Sequence, residues 1–184
     1  MNEAEIIEAV QRGRAGSHEA VVRMYAQEVG RLVARLVPNA LDAEEVVQDV
    51  FLKAFRNMGQ FDAGRATLGT WLCRIAYSMA IDWLRRRGPQ WLSLEESGLL
   101  DGEEAGETEP LLVEEGAEED VLIEQLLCAI DALPPPDQSL ITMFYFEGRS
   151  LDDIAFITQQ RTGTVATRLH RIRKRLYGKL KDKN

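Results

Sequence analysis

The stretch of this 184-residue chain whose residue types and spacing carry chemistry most plainly is Thr162-Gly163-Thr164-Val165-Ala166-Thr167-Arg168-Leu169-His170-Arg171-Ile172-Arg173-Lys174-Arg175-Leu176. At helical spacing Val165, Leu169, Ile172 and Leu176 fall within a stripe of about 60°, a narrow core-facing seam. Thr164, Thr167, Arg168, Arg171, Lys174 and Arg175 share the opposite side. Arginine offers paired donors that match guanine edges and phosphates, and small hydroxyl residues allow close approach, so this face suits recognition of a duplex groove through hydrogen bonds, not covalent chemistry. A solvated basic face on an ordinary terminal helix has the same composition. What favours DNA is the preceding sequence: a short helix, Ser150 through Ile157, and a polar four-residue break, Thr158-Gln159-Gln160-Arg161. The lysines of the tail, Lys179, Lys181 and Lys183, read as non-specific.

Two helices nearer the N-terminus carry further signals. Over 42–58, Val46, Val47, Val50 and Ala54 form an expected buried stripe, with Phe51 and Phe55 at its edge. Its other face holds Glu45, Gln48, Asp49 and Arg56 around Leu52, and an apolar residue ringed by charges is weak evidence of an interface, because single exposed leucines are common. Over 71–87, Leu72, Ala76, Met79, Ala80 and Trp83 are expected inside. Trp71, Arg74, Ser78, Asp82, Arg85 and Arg86 lie together on the other face, and Arg65 sits at the tip of the preceding loop 62–70. Cations and aromatic rings on one surface suit a single nucleic-acid strand with an unstacked base. Trp71 and Trp83 are either stacking platforms or, as tryptophans at helical spacing commonly are, core.

The elements that position these residues are all helical. Periodicity and caps predict helices over 3–13, 17–36, 42–58 and 69–87, then over 119–132, 136–146, 150–157 and 162–180. Asp42 with Glu45 has the form of a capping box. Gly59 and Asp62-Ala63-Gly64 mark a loop, and Pro134-Pro135-Pro136 stops a helix because proline has no amide hydrogen to donate. Gly148 and Ser150 close one helix and cap the next. The expected fold class is all-α, with small helical domains over 1–92 and 121–184.

Charge defines what lies between them. The formal net charge of -8 argues against a nucleic-acid partner only as an average. Residues 1–92 carry 12 basic and 11 acidic side chains, residues 121–184 carry 10 and 7, and residues 93–120 carry 12 carboxylates with no base. That middle stretch, with four glycines and one proline, cannot bury enough apolar surface to offset its ordering, so it reads as a flexible acidic linker. Hydrophobic residues are 45% of the chain, yet no apolar run approaches the roughly 20 residues of a membrane helix. The acidic start Met1-Asn2-Glu3-Ala4-Glu5 lacks the order of a signal peptide, so a cytoplasmic location is expected, with no membrane insertion. Cys73 and Cys128 are expected as buried free thiols. With His18 and His170 isolated, no metal site is expected. No glycine-rich phosphate loop and no histidine paired with a nucleophile is present, so neither catalysis nor a cofactor or small-molecule substrate is expected.

Gly163-Thr164-Val165-x-x-Arg168-Leu169-x-Arg171-x-Arg173, with Leu133-Pro134 and Phe144 through Ala155 before it, resembles the helix-turn-helix of extracytoplasmic-function (ECF) sigma factors, group IV of the housekeeping-type sigma family. Asp42-Ala43-Glu44-Glu45-Val46-Val47-Gln48-Asp49-Val50-Phe51 is similar to that family's region 2 helix. Phe61-Asp62, Thr70-Trp71-Leu72-x-Arg74-Ile75-Ala76 and Asp82-Trp83-Leu84-Arg85-Arg86-Arg87 look like its -10-reading segment.

The resemblance implies a transcription initiation factor, not an enzyme. Region 2 (1–92) would bind the clamp of the largest subunit of core RNA polymerase through Glu45, Gln48, Asp49, Leu52 and Arg56. It would capture the melted -10 strand through Arg65, Trp71, Arg74, Ser78, Arg85 and Arg86. Region 4 (121–184) would read the -35 duplex, with Thr167, His170 and Arg171 on base edges, Arg168 on a phosphate, and Thr164, Lys174 and Arg175 nearby. An anti-sigma factor, often membrane-tethered, is implied as antagonist. Three departures stand out. Gln159 and Gln160 replace the usual turn glycine and following apolar residue, which predicts a looser turn. Ala166 replaces an often basic residue, and Ser78 stands where the family frequently has Asn. The linker is either a spacer extended by self-repulsion, a polyanion that enters the polymerase channel, or a shield for the basic helix. The competing readings are a helix-turn-helix regulator, which would need a sensory domain with strands, and a sigma mimic or antagonist that binds polymerase without reading a promoter. With Asn184 as the last residue, a C-terminal sensor domain is not expected.

Overall fold

The computed structural model describes residues 3–87 and 119–181, with side chains described over 3–87 and 123–180; most of the acidic stretch 93–120 lies outside the described residues. Every described element is helical: α1 (Glu3–Gln11), α2 (Ser17–Leu36), α3 (Ala40–Arg56), a 3₁₀ turn (Met58–Gln60), α4 (Leu68–Arg87), α5 (Glu119–Asp131), α6 (Pro135–Ile141) with a π-helical turn (Thr142–Phe146), α7 (Leu151–Thr158) and α8 (Thr162–Lys181). The described residues separate into two compact units between α4 and α5, with Ala155–Gln160 grouped with the first.

In the N-terminal unit α2, α3 and α4 pack on one another and α1 packs on α2. Val21, Val29, Val33 and Leu36 of α2, Val50 and Ala54 of α3 and Leu72, Ala76 and Ala80 of α4 make the core. Each large aliphatic removed from water there contributes about 1.5–3 kcal/mol. Helix α3 starts at Ala40, two residues before the expected capping box. Asn39 caps it instead, its side-chain oxygen accepting from the amides of Leu41 and Asp42. Phe51 belongs to the core and not to its edge. On α4 the inward arc is rotated from the expected one: Cys73, Tyr77 and Ile81 are buried, while Met79 and Trp83 stand at the margin. A helix covered by two neighbours buries a wide arc, which a single stripe does not describe.

In the C-terminal unit α8 packs on α5 and α6. The proline run works as expected, and Pro135 takes the first position of α6. The side-chain amide of Gln138 donates to the carbonyls of Asp131 (2.9 Å), the last residue of α5, and of Leu133 just past it (2.8 Å), serving acceptors left open where the helix ends. Past Ile141 the helix widens, and Glu147 N–H reaches the carbonyl of Thr142. Gly148 then turns at φ 63°. Cys128 is exposed, contrary to expectation, and so are Ile123 and Leu127 of the same helix. The apolar content of α5 exceeds what its neighbours in this unit cover.

Candidate functional site

Helix α8 displays its residues as the periodicity requires. Val165, Leu169, Ile172 and Leu176 are all buried. His170, Arg171, Lys174 and Arg175 are exposed, and Thr164 and Thr167 are half-buried beside them. The Thr167 hydroxyl donates to the Gly163 carbonyl at 2.9 Å, which leaves its oxygen lone pairs outward. Arg173 approaches His170 Nδ1 at 3.4 Å.

Arg168 differs from its neighbours. Its guanidinium forms an ion pair with Asp137 Oδ1 of α6 at 2.7 Å, and both side chains are largely covered. On the wheel Arg168 lies on the flank of the seam, within reach of the facing helix. It braces α8 on α6, and a phosphate would have to compete with Asp137 for it.

The turn before α8 is tight, where the two glutamines predicted a looser one. Ser150 caps α7, accepting from Asp153 N–H at 3.0 Å and donating to Asp153 Oδ2 at 2.6 Å. At the far end Gln159 takes the left-handed conformation, φ 58°, and Gln160 N–H reaches the Ala155 carbonyl at 3.1 Å. This is the closure glycine normally makes, formed here by a residue that carries a side-chain penalty of about 1 kcal/mol. Thr162 Oγ1 then donates to Asp152 Oδ1 at 2.9 Å, tying the start of α8 to the start of α7.

In the N-terminal unit, Glu45, Gln48, Asp49, Leu52 and Arg56 are all exposed on α3, with Leu52 half in solvent at 52%. The stripe extends one step further than the sequence suggests. Leu41, at 78% the most exposed large apolar residue among the described residues, stands eleven residues before Leu52 and so on the same side of α3. Asp42 is engaged elsewhere, paired at 2.9 Å with Arg87 at the end of α4.

Along α4, Arg85 and Arg86 are exposed, and Trp71, Arg74 and Ser78 are half-buried. Trp71 meets Phe61 edge-on at 5.5 Å between centroids. Arg87, the last residue of the segment that resembles the -10 reader, lies 4.4 Å from the Trp83 ring centre and covers one of its faces. Both tryptophans are thus half-buried, neither wholly core nor free platforms. In the loop before α4, Asp62 Oδ1 accepts from Gly64 N–H at 2.9 Å and Arg65 is exposed. No group of three or more metal-ligating side chains converges among the described residues.

Comparison with known proteins follows the same division. Residues 21–90 match the family model described as sigma-70 region 2, and residues 123–176 match that described as sigma-70, region 4. The chain is 29% identical to the ECF RNA polymerase sigma factor SigW of Bacillus subtilis over 96% of this chain and 95% of the relative. It is 32% identical to the RNA polymerase sigma-H factor of Pseudomonas aeruginosa over 92% of this chain and 89% of that one. Among solved structures, the sigma factor RpoE in complex with the anti-sigma factor NepR from Bartonella quintana shares the fold. It matches with a TM-score of 0.60 and 23% identity over 91% of this chain and 98% of that chain.

Proposed function

The chain belongs to the ECF sigma factors of the sigma-70 family, transcription initiation factors that direct RNA polymerase to promoters, and from that premise we propose how its two units divide the work. The exposed face of α3, with Glu45, Gln48, Asp49, Leu52 and Arg56, docks on the clamp of the largest polymerase subunit. The surface of α4 with its preceding loop holds the non-template -10 strand once it leaves the duplex. Arg65, Arg74, Arg85 and Arg86 follow phosphates, and Trp71 with Ser78 borders the place of an unstacked base. Helix α8 enters the -35 major groove, with Thr167, His170 and Arg171 toward base edges and Thr164, Lys174 and Arg175 toward the backbone.

The observation that carries this reading is the split of α8, four buried aliphatics on one side and an exposed basic face on the other. Arg168 is reassigned as the brace of that helix. An anti-sigma factor is the proposed antagonist; the support is that the fold is shared with a sigma factor solved in such a complex. No described helix is long and apolar enough to cross a membrane, which accords with action in the cytoplasm, where promoter DNA lies.

A binding assay between the full chain and purified core polymerase tests the α3 assignment. Gln48→Ala with Asp49→Lys is expected to weaken core binding by tenfold or more, because a reversed charge at an interface costs several kcal/mol. Unchanged affinity contradicts the assignment.

A further inference from the structure

The N-terminus of α4 is held by a residue distant in sequence. Leu68, its first residue, is fully buried, so water cannot serve its free amide. Glu3 Oε1 accepts that N–H at 2.9 Å. The other oxygen of the same carboxylate, Oε2, accepts from the Tyr25 hydroxyl at 3.0 Å. One carboxylate of α1 therefore ties α2 to the positive end of α4, where negative charge is favoured. The junction is close-packed, since a Cβ on Gly69 would stand 3.1 Å from both the Tyr25 ring and Glu28 Oε2. Burial, then Glu3 and Glu28, push the Tyr25 phenol well above its ordinary range, as expected of a hydroxyl committed to a carboxylate.

The part of the strand-capture surface nearest this turn, with Arg65, Trp71, Arg74 and Ser78, hangs from it. Thr67 Oγ1 accepts Thr70 N–H at 3.2 Å, and Trp71 N–H reaches the Thr67 carbonyl at 3.0 Å as the first helical bond. One and two turns on stand Arg74 and Ser78, and immediately before lies the loop that Asp62 closes. Glu3 itself precedes the residues that match the region 2 family model.

We propose that Glu3, through the amide of Leu68, is a positioning residue for -10 strand capture, holding the first turn of α4 and its loop in the conformation that accepts the melted strand. The inference rests on the -10 assignment of α4 made above. Without the carboxylate a buried amide is left unpaired, the first turn frays, and the fraction of competent molecules falls, with apparent strand affinity falling in proportion.

The test uses the full chain with core polymerase and a promoter it transcribes. Permanganate reactivity of unpaired -10 thymines reads opening, and core affinity is measured in parallel. Glu3→Ala is expected to lower opening about fivefold to tenfold while core affinity stays within about twofold. Glu3→Gln, whose remaining oxygen still accepts from Leu68, restores most of the opening. Opening and core affinity falling together, or Gln no better than Ala, overturns positioning in favour of a general loss of fold. Arg74→Ala separates the two layers. If it abolishes opening and Glu3→Ala leaves it intact, the Glu3 inference fails alone; if neither matters, the -10 assignment fails and takes the inference with it.

Discussion

Arg168 and Arg171 stand three residues apart on one helix in different surroundings. Arg171 is exposed, whereas Arg168 is paired with Asp137 and largely covered. Their substitutions are expected to separate in a salt titration of duplex binding. Arg171→Ala should lose about 1–3 kcal/mol toward the preferred -35 sequence and relax specificity at one position. Lys174→Ala should weaken all sequences alike and lower the salt slope by about 1. Arg168→Ala should leave the slope unchanged and cost roughly 1 kcal/mol of folding stability, because the loss falls on a partly shielded internal pair. A reduced slope for Arg168→Ala contradicts its role as a brace. Tyr25 supplies a second test. Its folded-state pKa is raised above the ordinary value near 10, so between the two values the unfolded chain binds fewer protons than the folded one. Its contribution is complete below about pH 10 and is lost as pH rises beyond that. Tyr25→Phe should flatten the alkaline fall in denaturation midpoint, and an unaltered fall contradicts the buried phenol–carboxylate contact.

Among elements, the approach of α2 to α4 is the most constrained. Gly69→Ala places a methyl against a tyrosine ring that its hydroxyl bond already fixes, so the ring has little freedom to yield. A stability loss of roughly 1–3 kcal/mol is expected in urea unfolding. No loss means that α2 can shift, and the tight junction is then wrong. The same junction shows why part of the site was not legible in sequence. The seam Val165–Leu169–Ile172–Leu176 could be read from spacing because one face of α8 is covered. Helix α4 has two neighbours, and its arc therefore takes in Cys73, Tyr77 and Ile81 and leaves Met79 and Trp83 at the margin. The contact between Glu3 and Leu68 joins residues 65 positions apart, and no local pattern records it. Cys128 shows the converse error, an apolar stretch taken as buried without a neighbour to bury it. Gln159 shows a third kind, since a tight turn needs a backbone conformation and glycine is only its easiest source.

In the whole molecule two helical units match regions 2 and 4 of one family, in the family's order. Each holds an exposed surface, and on the proposed reading the two serve different partners. The proposed function is joint promoter selection, with α4 taking the -10 strand and α8 the -35 duplex. Run-off transcription with purified core polymerase, across a library of promoters randomised at both elements, tests that claim most directly. The predicted result is core-dependent transcripts enriched for one -10 and one -35 sequence, lost with paired Gln48 and Asp49 substitutions and with -35 preference relaxed in Arg171→Ala. Core binding without any selected transcript would contradict it, and would leave a polymerase-binding protein that does not read promoters.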